Sequence, residues 1–467
     1  MAGFRRRWRL VLISCGMAVS ACANGHAQRQ ATLDPPYIAP LGAMPAPDLS
    51  RDAWWSGFRD PTLDDLIWRG LQQNLSIREA RERVIAADAL ARSAGAVVSG
   101  DASAGLTRAD EAGSPPVNER RLDVGASWLL DFFGRARSER ESSRQSAEAR
   151  RADADNAALA FLSQIAVAYI DLRFYETSVR LKSQDLASRR KTLDQTEALV
   201  RLGNATELDL SQARALMNTT QSEIPVLEAR AQAQRNRIAT LLAVPAGTLS
   251  LAAAGEQPGP RDGIPSKIAT DLVRSRPDVR SAEHGYAAAV ARIGVAEAEL
   301  YPSIRLGGTI SAGNTAGVDT SGWSFGPTLT VPIFNRGQLY ANVDVAESSA
   351  REAHLAWQRS VLEAVEEVET ALYALRKYDA ASRAAAAAVE EYTKSLDLSR
   401  ALAERGNITT LDLIDVERQI SGARETLAEA RRQVALQYVF LNTALGAGHA
   451  AARPGATAEA GIAPPAN

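Results

Sequence analysis

Gly203-Asn204-Ala205-Thr206-Glu207-Leu208-Asp209-Leu210 and Gly406-Asn407-Ile408-Thr409-Thr410-Leu411-Asp412-Leu413 repeat one pattern 203 positions apart. The same offset pairs Ala168, Leu172, Arg173 and Tyr175 with Ala371, Leu375, Arg376 and Tyr378, and Gly134 with Gly337. Register holds without insertion from residue 134 to beyond 210, so the chain carries two copies of one structural unit. Each copy reads in one order: a helical segment, two short alternating strands, then two long helices.

From Gly134 to Leu202 there is no proline and almost no glycine. At about 1.5 Å per residue, such a helix is on the order of 100 Å long and has to project from any compact core. Leu172, Val179, Leu186, Leu193 and Val200 recur every seventh residue. Val361, Val368, Leu375, Val389 and Leu396 do the same, with polar Ser382 in the series. A seven-residue apolar repeat predicts helices packed side by side. The Gly-Asn turns end the first helix of each pair. Second helices return to about Leu242 and Leu445, the first carrying an internal Pro225 that predicts a kink.

Ahead of the long helices, helical segments are predicted at 61–99 and 266–300, and strands near 101–108, 121–131, 303–311 and 323–334. Leu122, Val124, Ala126, Trp128 and Leu130 share one face. Phe325, Pro327, Leu329, Val331 and Ile333 repeat that phase, and Ile304, Leu306 and Ile310 alternate with Ser303, Arg305, Thr309 and Ser311. Period two with one apolar face fits a half-buried soluble strand and a membrane barrel strand equally well. Four barrel strands cannot close alone, because unpaired edge groups are not tolerated in hydrocarbon. A barrel therefore requires several copies of the chain.

The 467 residues are 46% apolar, and 53 Lys and Arg against 55 Asp and Glu leave no basic field to attract nucleic acid. Arg5, Arg6, Arg7 and Arg9, the apolar run Leu10–Val19 and Ser20-Ala21-Cys22 read as an export signal, too short to span a bilayer. Val19-Ser20-Ala21-Cys22 resembles a bacterial lipobox, with Cys22 as the acylated residue, and Asn24 then favours the outer membrane. The expected organisation is a lipoprotein signal at 1–21, an extended strap at 22–60, repeat one at 61–250, repeat two at 251–446 and a disordered Ala/Gly/Pro tail at 447–467. Trp54 and Trp55 suit a membrane interface or a core equally. Four scattered histidines supply no metal spacing, no nucleophile stands beside a base, and neither enzyme nor cofactor is expected.

Several motifs then resemble the outer-membrane factors of tripartite efflux pumps, in the OprM- and NodT-like lipoprotein branch related to TolC. They are Trp54-Trp55 with Phe58, Asp60, Pro61, Leu63 and Leu66; Ser127-Trp128-Leu129-Leu130-Asp131-Phe132-Phe133-Gly134-Arg135; Arg276-Pro277-Asp278-Val279; Ala282-Glu283; Ile293-Gly294-Val295-Ala296; Tyr301-Pro302-Ser303-Ile304; Pro332-Ile333-Phe334-Asn335-Arg336-Gly337; and Ala444-Leu445-Gly446. The resemblance implies a mainly α protein with a small β part. Its homotrimer would form a twelve-stranded transmembrane barrel continuous with a twelve-helix periplasmic barrel. It further implies a periplasmic membrane-fusion adaptor, an inner-membrane pump of the resistance-nodulation-division type, outer-membrane lipid as surroundings, and passive export of drugs or other small molecules. A type I protein-secretion duct and a soluble periplasmic coiled-coil scaffold are the rival expectations. The family often has a tyrosine before the second hairpin turn, where this chain has Ala403.

In that setting Asp209, Asp412 and Asp415 become candidates for a periplasmic gate. Asp412 and Asp415 are three apart on one helical face, and a symmetric assembly would turn them into a carboxylate ring that attracts cations. The alternative is that these acids merely favour a helix N-terminus. Gly203, Asn204, Gly406 and Asn407 are the expected adaptor contacts at the hairpin turns.

Overall fold

A computed structural model describes residues 49–110, 113, 116–251, 255–261, 275–405 and 407–453. Cys22, the signal segment and Gly406 lie outside the described residues. The elements run α1 (Pro61–Gln73), α2 (Leu75–Ser93), β1 (Val98–Ala109), β2 (Val117–Leu130), α3 (Arg135–Arg201), α4 (Glu207–Leu241), α5 (Pro277–Ala298), β3 (Ser303–Thr315), β4 (Val318–Thr330), α6 (Arg336–Glu404) and α7 (Thr410–Ala444). The chain is mainly helical with one small antiparallel sheet, and from the helix before the strands onward the described second repeat (α5, β3, β4, α6, α7) follows the order of the first (α2, β1, β2, α3, α4). The strands start and end a few residues away from their predicted positions, and β4 stops before Val331 and Ile333, which are exposed beyond it.

The described residues form two compact units. Val84–Arg150 with Ser281–Gln358 contain the sheet, and Pro40–Arg83, Arg151–Arg280 and Arg359–Asn467 contain most of the long helices. In the helical unit the core is built where α1, α3, α4, α6 and α7 bring apolar side chains together: Leu63, Leu66, Leu162, Ile165, Tyr169, Ile238, Leu375 and Val439, among others. Asp60 starts α1 by accepting the Thr62 and Leu63 backbone N–H groups, and its second oxygen accepts the Tyr169 hydroxyl at 2.6 Å. Arg173 donates to that hydroxyl at 3.0 Å and to Glu176 at 2.9 Å, so this buried cation is paired.

Two expectations about the ends of the chain change. Within the 22–60 strap, Leu49–Arg51 and Trp54–Phe58 form 3-10 turns, and Trp54, Trp55 and Phe58 are buried in the core. The two tryptophans are core residues and not interface anchors. The tail expected to be disordered from 447 is packed as far as it is described. Ala447, His449, Ala450 and Ala451 are buried, and Arg453 grips Asp155 through two hydrogen bonds at 3.1 and 2.6 Å. Small side chains make this close packing possible. Gly448 sits at φ +83°, and a Cβ there would lie 2.8 Å from the Trp55 ring.

The seven-residue pattern is realised unequally. On α6, Val361, Val368, Leu375 and Leu396 are buried as expected. On α3 only Leu172 and Leu186 of the predicted series are buried, while Val179, Leu193 and Val200 are half-buried. The stripe that α3 buries past residue 175 is instead largely polar.

Candidate functional site

The strand order is β1-β2-β3-β4, with both outer edges of the sheet unpaired among the described residues. Directly opposed residues in antiparallel strands share a face. Register therefore places Ala102, Val124, Ile310 and Trp323 in one row, with Val98, Trp128, Leu306 and Pro327 in another row of the same face. The opposite face carries Asp101, Gly125, Thr309 and Ser324 in one row and Ser103, Asp123, Ser311 and Gly322 in the next. Hydroxyls pair across that face, Ser99 with Ser127 at 2.9 Å and Thr309 with Ser324 at 2.7 Å, and Arg121 donates to Asp123 at 2.7 Å.

β1 is exposed on both faces and β4 on nearly all of both, and within β2 the apolar face is the more exposed one. In β2, Leu122, Val124, Ala126 and Trp128 are exposed, while Asp123, Gly125, Ser127 and Leu129 on the other face are half-buried. Ile310 is 66% exposed and Trp323 81%. Large apolar side chains thus stand exposed on this sheet, with Phe325 laid over Gly308 between them. The alternation seen in the sequence appears here as one face rich in apolar side chains and one carrying Ser, Thr, Gly and charged residues.

The other candidate residues sit at the hairpin tips of the helical unit. Gly203 adopts φ +72°, which a residue ending α3 in this turn needs, and the Asn204 N–H returns to the Leu199 carbonyl at 2.8 Å. The Asn407 N–H makes the equivalent bond to the Leu402 carbonyl at 2.9 Å. Thr206 and Thr409 then cap α4 and α7. Each threonine hydroxyl accepts the N–H of the aspartate three residues on, and each aspartate accepts from the threonine N–H and hydroxyl. The distances to Asp209 Oδ2 are 2.9 and 2.8 Å, and those to Asp412 Oδ2 are 2.9 and 2.7 Å. This is a reciprocal capping box, legible in the Thr-x-x-Asp spacing but not read from it.

The structure thus gives Asp209 and Asp412 a local helix-starting role and separates them from Asp415, which accepts from Gln419 at 2.7 Å and lies 3.8 Å from Arg418. The Thr206 N–H and then its hydroxyl hold the Asp209 carboxyl below the usual carboxylate range; for Asp412 the Thr409 hydroxyl leads and the N–H follows. A carboxyl held low when folded adds stability that is present above its unfolded value and lost as pH falls through the folded one. Pepsin cleavage at the starts of α4 and α7 should therefore appear only as pH drops below about 3.8, the ordinary aspartate value. It should appear at higher pH at the start of α7 in Thr409→Ala, and tips equally resistant at all acid pH would contradict the capping account.

A family profile described as outer membrane efflux protein matches twice, over residues 66–244 and 269–447. Both ends of the second match lie 203 positions after those of the first, the displacement read from the hairpin turns. Nodulation protein T of Rhizobium leguminosarum bv. viciae is 37% identical, with 98% of each chain covered. The pyoverdine export outer membrane protein OpmQ of Pseudomonas putida is 29% identical over 95% of this chain and 98% of its own. The solved structure of the outer-membrane channel OprN superposes with a TM-score of 0.78 at 30% identity, covering 86% of this chain and 94% of that one. The open state of the Neisseria gonorrhoeae MtrE outer membrane channel gives 0.75 at 28% identity, covering 83% and 89%. The family profile covers both halves of the chain and the fold superposes on these channels, and the chain belongs to the outer membrane efflux protein family.

Proposed function

We propose that this chain is the outer-membrane exit duct of a tripartite efflux system, a homotrimer that passively conducts drugs or other small molecules delivered by a periplasmic adaptor and an inner-membrane pump of the resistance-nodulation-division type. The observation that carries the reading is the four-stranded sheet with an exposed apolar face and two open edges. Lipid satisfies the face. Only strands of further copies satisfy the edges, since a bilayer supplies no hydrogen-bond partners. Three copies would set β1 of one against β4 of the next and close a barrel, with the polar Ser/Thr/Gly face inward. The long helices of each copy would line the passage on the periplasmic side. Acylation at Cys22 would add an anchor.

Small molecules fit as cargo because relatives carry names such as pyoverdine export protein and solvent efflux pump outer membrane protein. The tips around Gly203, Asn204, Gly406 and Asn407 are where an adaptor would engage, and untwisting of the helical hairpins would open the duct. Asp412 and Asp415 would stand at its narrow end. Because Asp412 also serves its own helix cap, Asp415→Ala isolates the gate. That variant should raise single-channel conductance and weaken block by divalent and trivalent cations. Unchanged conductance and block would remove Asp415 from the gate. The function itself is tested in a strain lacking the gene. Susceptibility to exported compounds should rise and be restored by the full chain, and restoration of protein secretion alone would contradict small-molecule export.

A further inference from the structure

The apolar face of the sheet changes character at one end. β1 follows α2 and β2 leads into α3, so the turn between Ala109 and Val117 lies at the end of the sheet away from the strand–helix junctions. Near that turn, register sets Arg120 between Leu106 and Asn314 in the row next to Leu122, and Arg108 beside Asn118 one row further out. By the two-residue period both arginines share the face of Leu122, Val124 and Trp128. They are diagonal neighbours on adjacent strands, close enough for long side chains to meet one ligand.

Charge is sorted between the two faces. The acids of β1 and β2, Asp101, Glu119 and Asp123, all lie on the polar face. Arg121 lies there too and donates to Asp123 at 2.7 Å. Arg108 and Arg120 are exposed and have no ion partner among the described residues. On β4, Asp319 shares their face, but it sits two strands from Arg120 and accepts from Asn314 at 2.7 Å. Two like charges set close together without an acid between them disfavour each other until an anion lies across them.

Their height on the strand is equally specific. From Leu130 at the junction to Arg120 the strand runs about 33 Å, at about 3.3 Å per residue. Strands of a membrane barrel tilt by about 35–45°, which leaves about 25 Å of height, the extent of the apolar band that such barrels present. Arg120 thus falls where hydrocarbon would end, and Arg108 just beyond. Beneath them Leu106, 83% exposed, Leu122 and Val124 form an apolar floor along which the arginine stems can lie. A guanidinium fork matches phosphate oxygens two at a time.

We propose that Arg108 and Arg120 form a site for the phosphate groups of an anionic outer-leaflet lipid, whose acyl chains lie over Leu106, Leu122 and Val124. The inference rests on the channel reading above, in which this face meets lipid, and adds the class of lipid that it holds.

The test uses the full-length, acylated protein purified in detergent. The probes are lipid A carrying both phosphates and the same lipid with its phosphates removed, and native mass spectrometry counts the lipids retained per oligomer. The parent should retain the phosphorylated form at least tenfold better. Arg108→Gln with Arg120→Gln should abolish that preference, and Arg121→Gln, on the polar face, should keep it within twofold. Arg120→Lys retains the charge without the fork and should lose part of the preference, so it reads the site even where the double variant assembles poorly. Equal retention of the two lipids by the parent would overturn the proposal. So would a preference left intact in the double variant or in Arg120→Lys, or one removed by inorganic phosphate alone, which would make the site an anion site without a lipid. A parent that forms no oligomer would sink the channel reading and this proposal with it, whereas a parent that assembles and ignores the phosphates sinks the proposal alone.

Discussion

Arginine in place of Ile310 should prevent the protein from reaching its assembled outer-membrane form. Ile310 stands opposite Val124 on one side and Trp323 on the other, in the fourth row of this face above the strand–helix junctions. On the lipid face of a membrane barrel, arginine near the midplane costs about 2–4 kcal/mol, and the cost falls on every copy of a closed assembly. The measurement is the amount of heat-modifiable oligomer in outer-membrane fractions. Thr309→Arg, one residue away on the polar face, should insert normally, because the proposed channel turns that side toward water. Equal insertion of the two variants would mean that the exposed apolar row does not meet lipid. The contrast turns on side-chain direction alone, since both changes sit in the same strand with the same backbone pairing.

The second large effect is expected at Arg276. Its guanidinium forms a two-pronged pair with Asp278 at 3.0 and 2.7 Å, reaches Glu367 at 2.7 Å and donates to the Ala444 carbonyl at 2.8 Å. It thereby joins the start of α5 to α6 and to the end of α7. Burial pushes the Asp278 carboxyl up, but the Arg276 hydrogen bonds and charge outweigh it and hold the group below its usual range. Arg276→Ala would leave two carboxylates near one another and a carbonyl unmatched. Truncating one partner of a buried pair costs about 3–5 kcal/mol. Asp278 and Glu367 retain 35% and 57% of their side-chain exposure, so solvent screening puts the expected loss at or below about 3 kcal/mol. The midpoint of thermal loss of helix signal should fall by several degrees. Arg276→Lys restores charge without the planar fork and should recover only part of the loss. A thermal midpoint unchanged in Arg276→Ala would show that the motif does not tie these helices together.

The repeat was the legible part of this fold. Gly203-Asn204 and Gly406-Asn407 mark turns because glycine and asparagine suit the end of a helix, and an uninterrupted offset can arise only from a doubled unit. The strands were legible as alternation, but not their surroundings. Period two states which residues share a face and leaves open whether lipid or protein meets it; the structure adds that Trp323 and Val124 are exposed. The polar stripe of α3 was missed because the pattern search followed apolar residues. Leu193 and Val200 kept the seven-residue count, whereas the buried positions beside them were Thr192 and Thr196. The C-terminal segment misled for a related reason. Ala447, Ala450 and Ala451 look like low-complexity sequence, yet small side chains are what tight packing against Trp55 and Leu162 requires. At the tips, Asp209 and Asp412 stood out by charge, and the hydrogen-bond geometry gave them a capping role that their charge alone did not announce.

The most direct test of the central claim is the current carried by the purified, acylated full-length protein in a planar lipid bilayer, recorded together with its mass in detergent. The account predicts a stable homo-oligomer, three chains in size, that conducts ions in discrete steps through a water-filled passage. A monodisperse single chain that passes no current would contradict it.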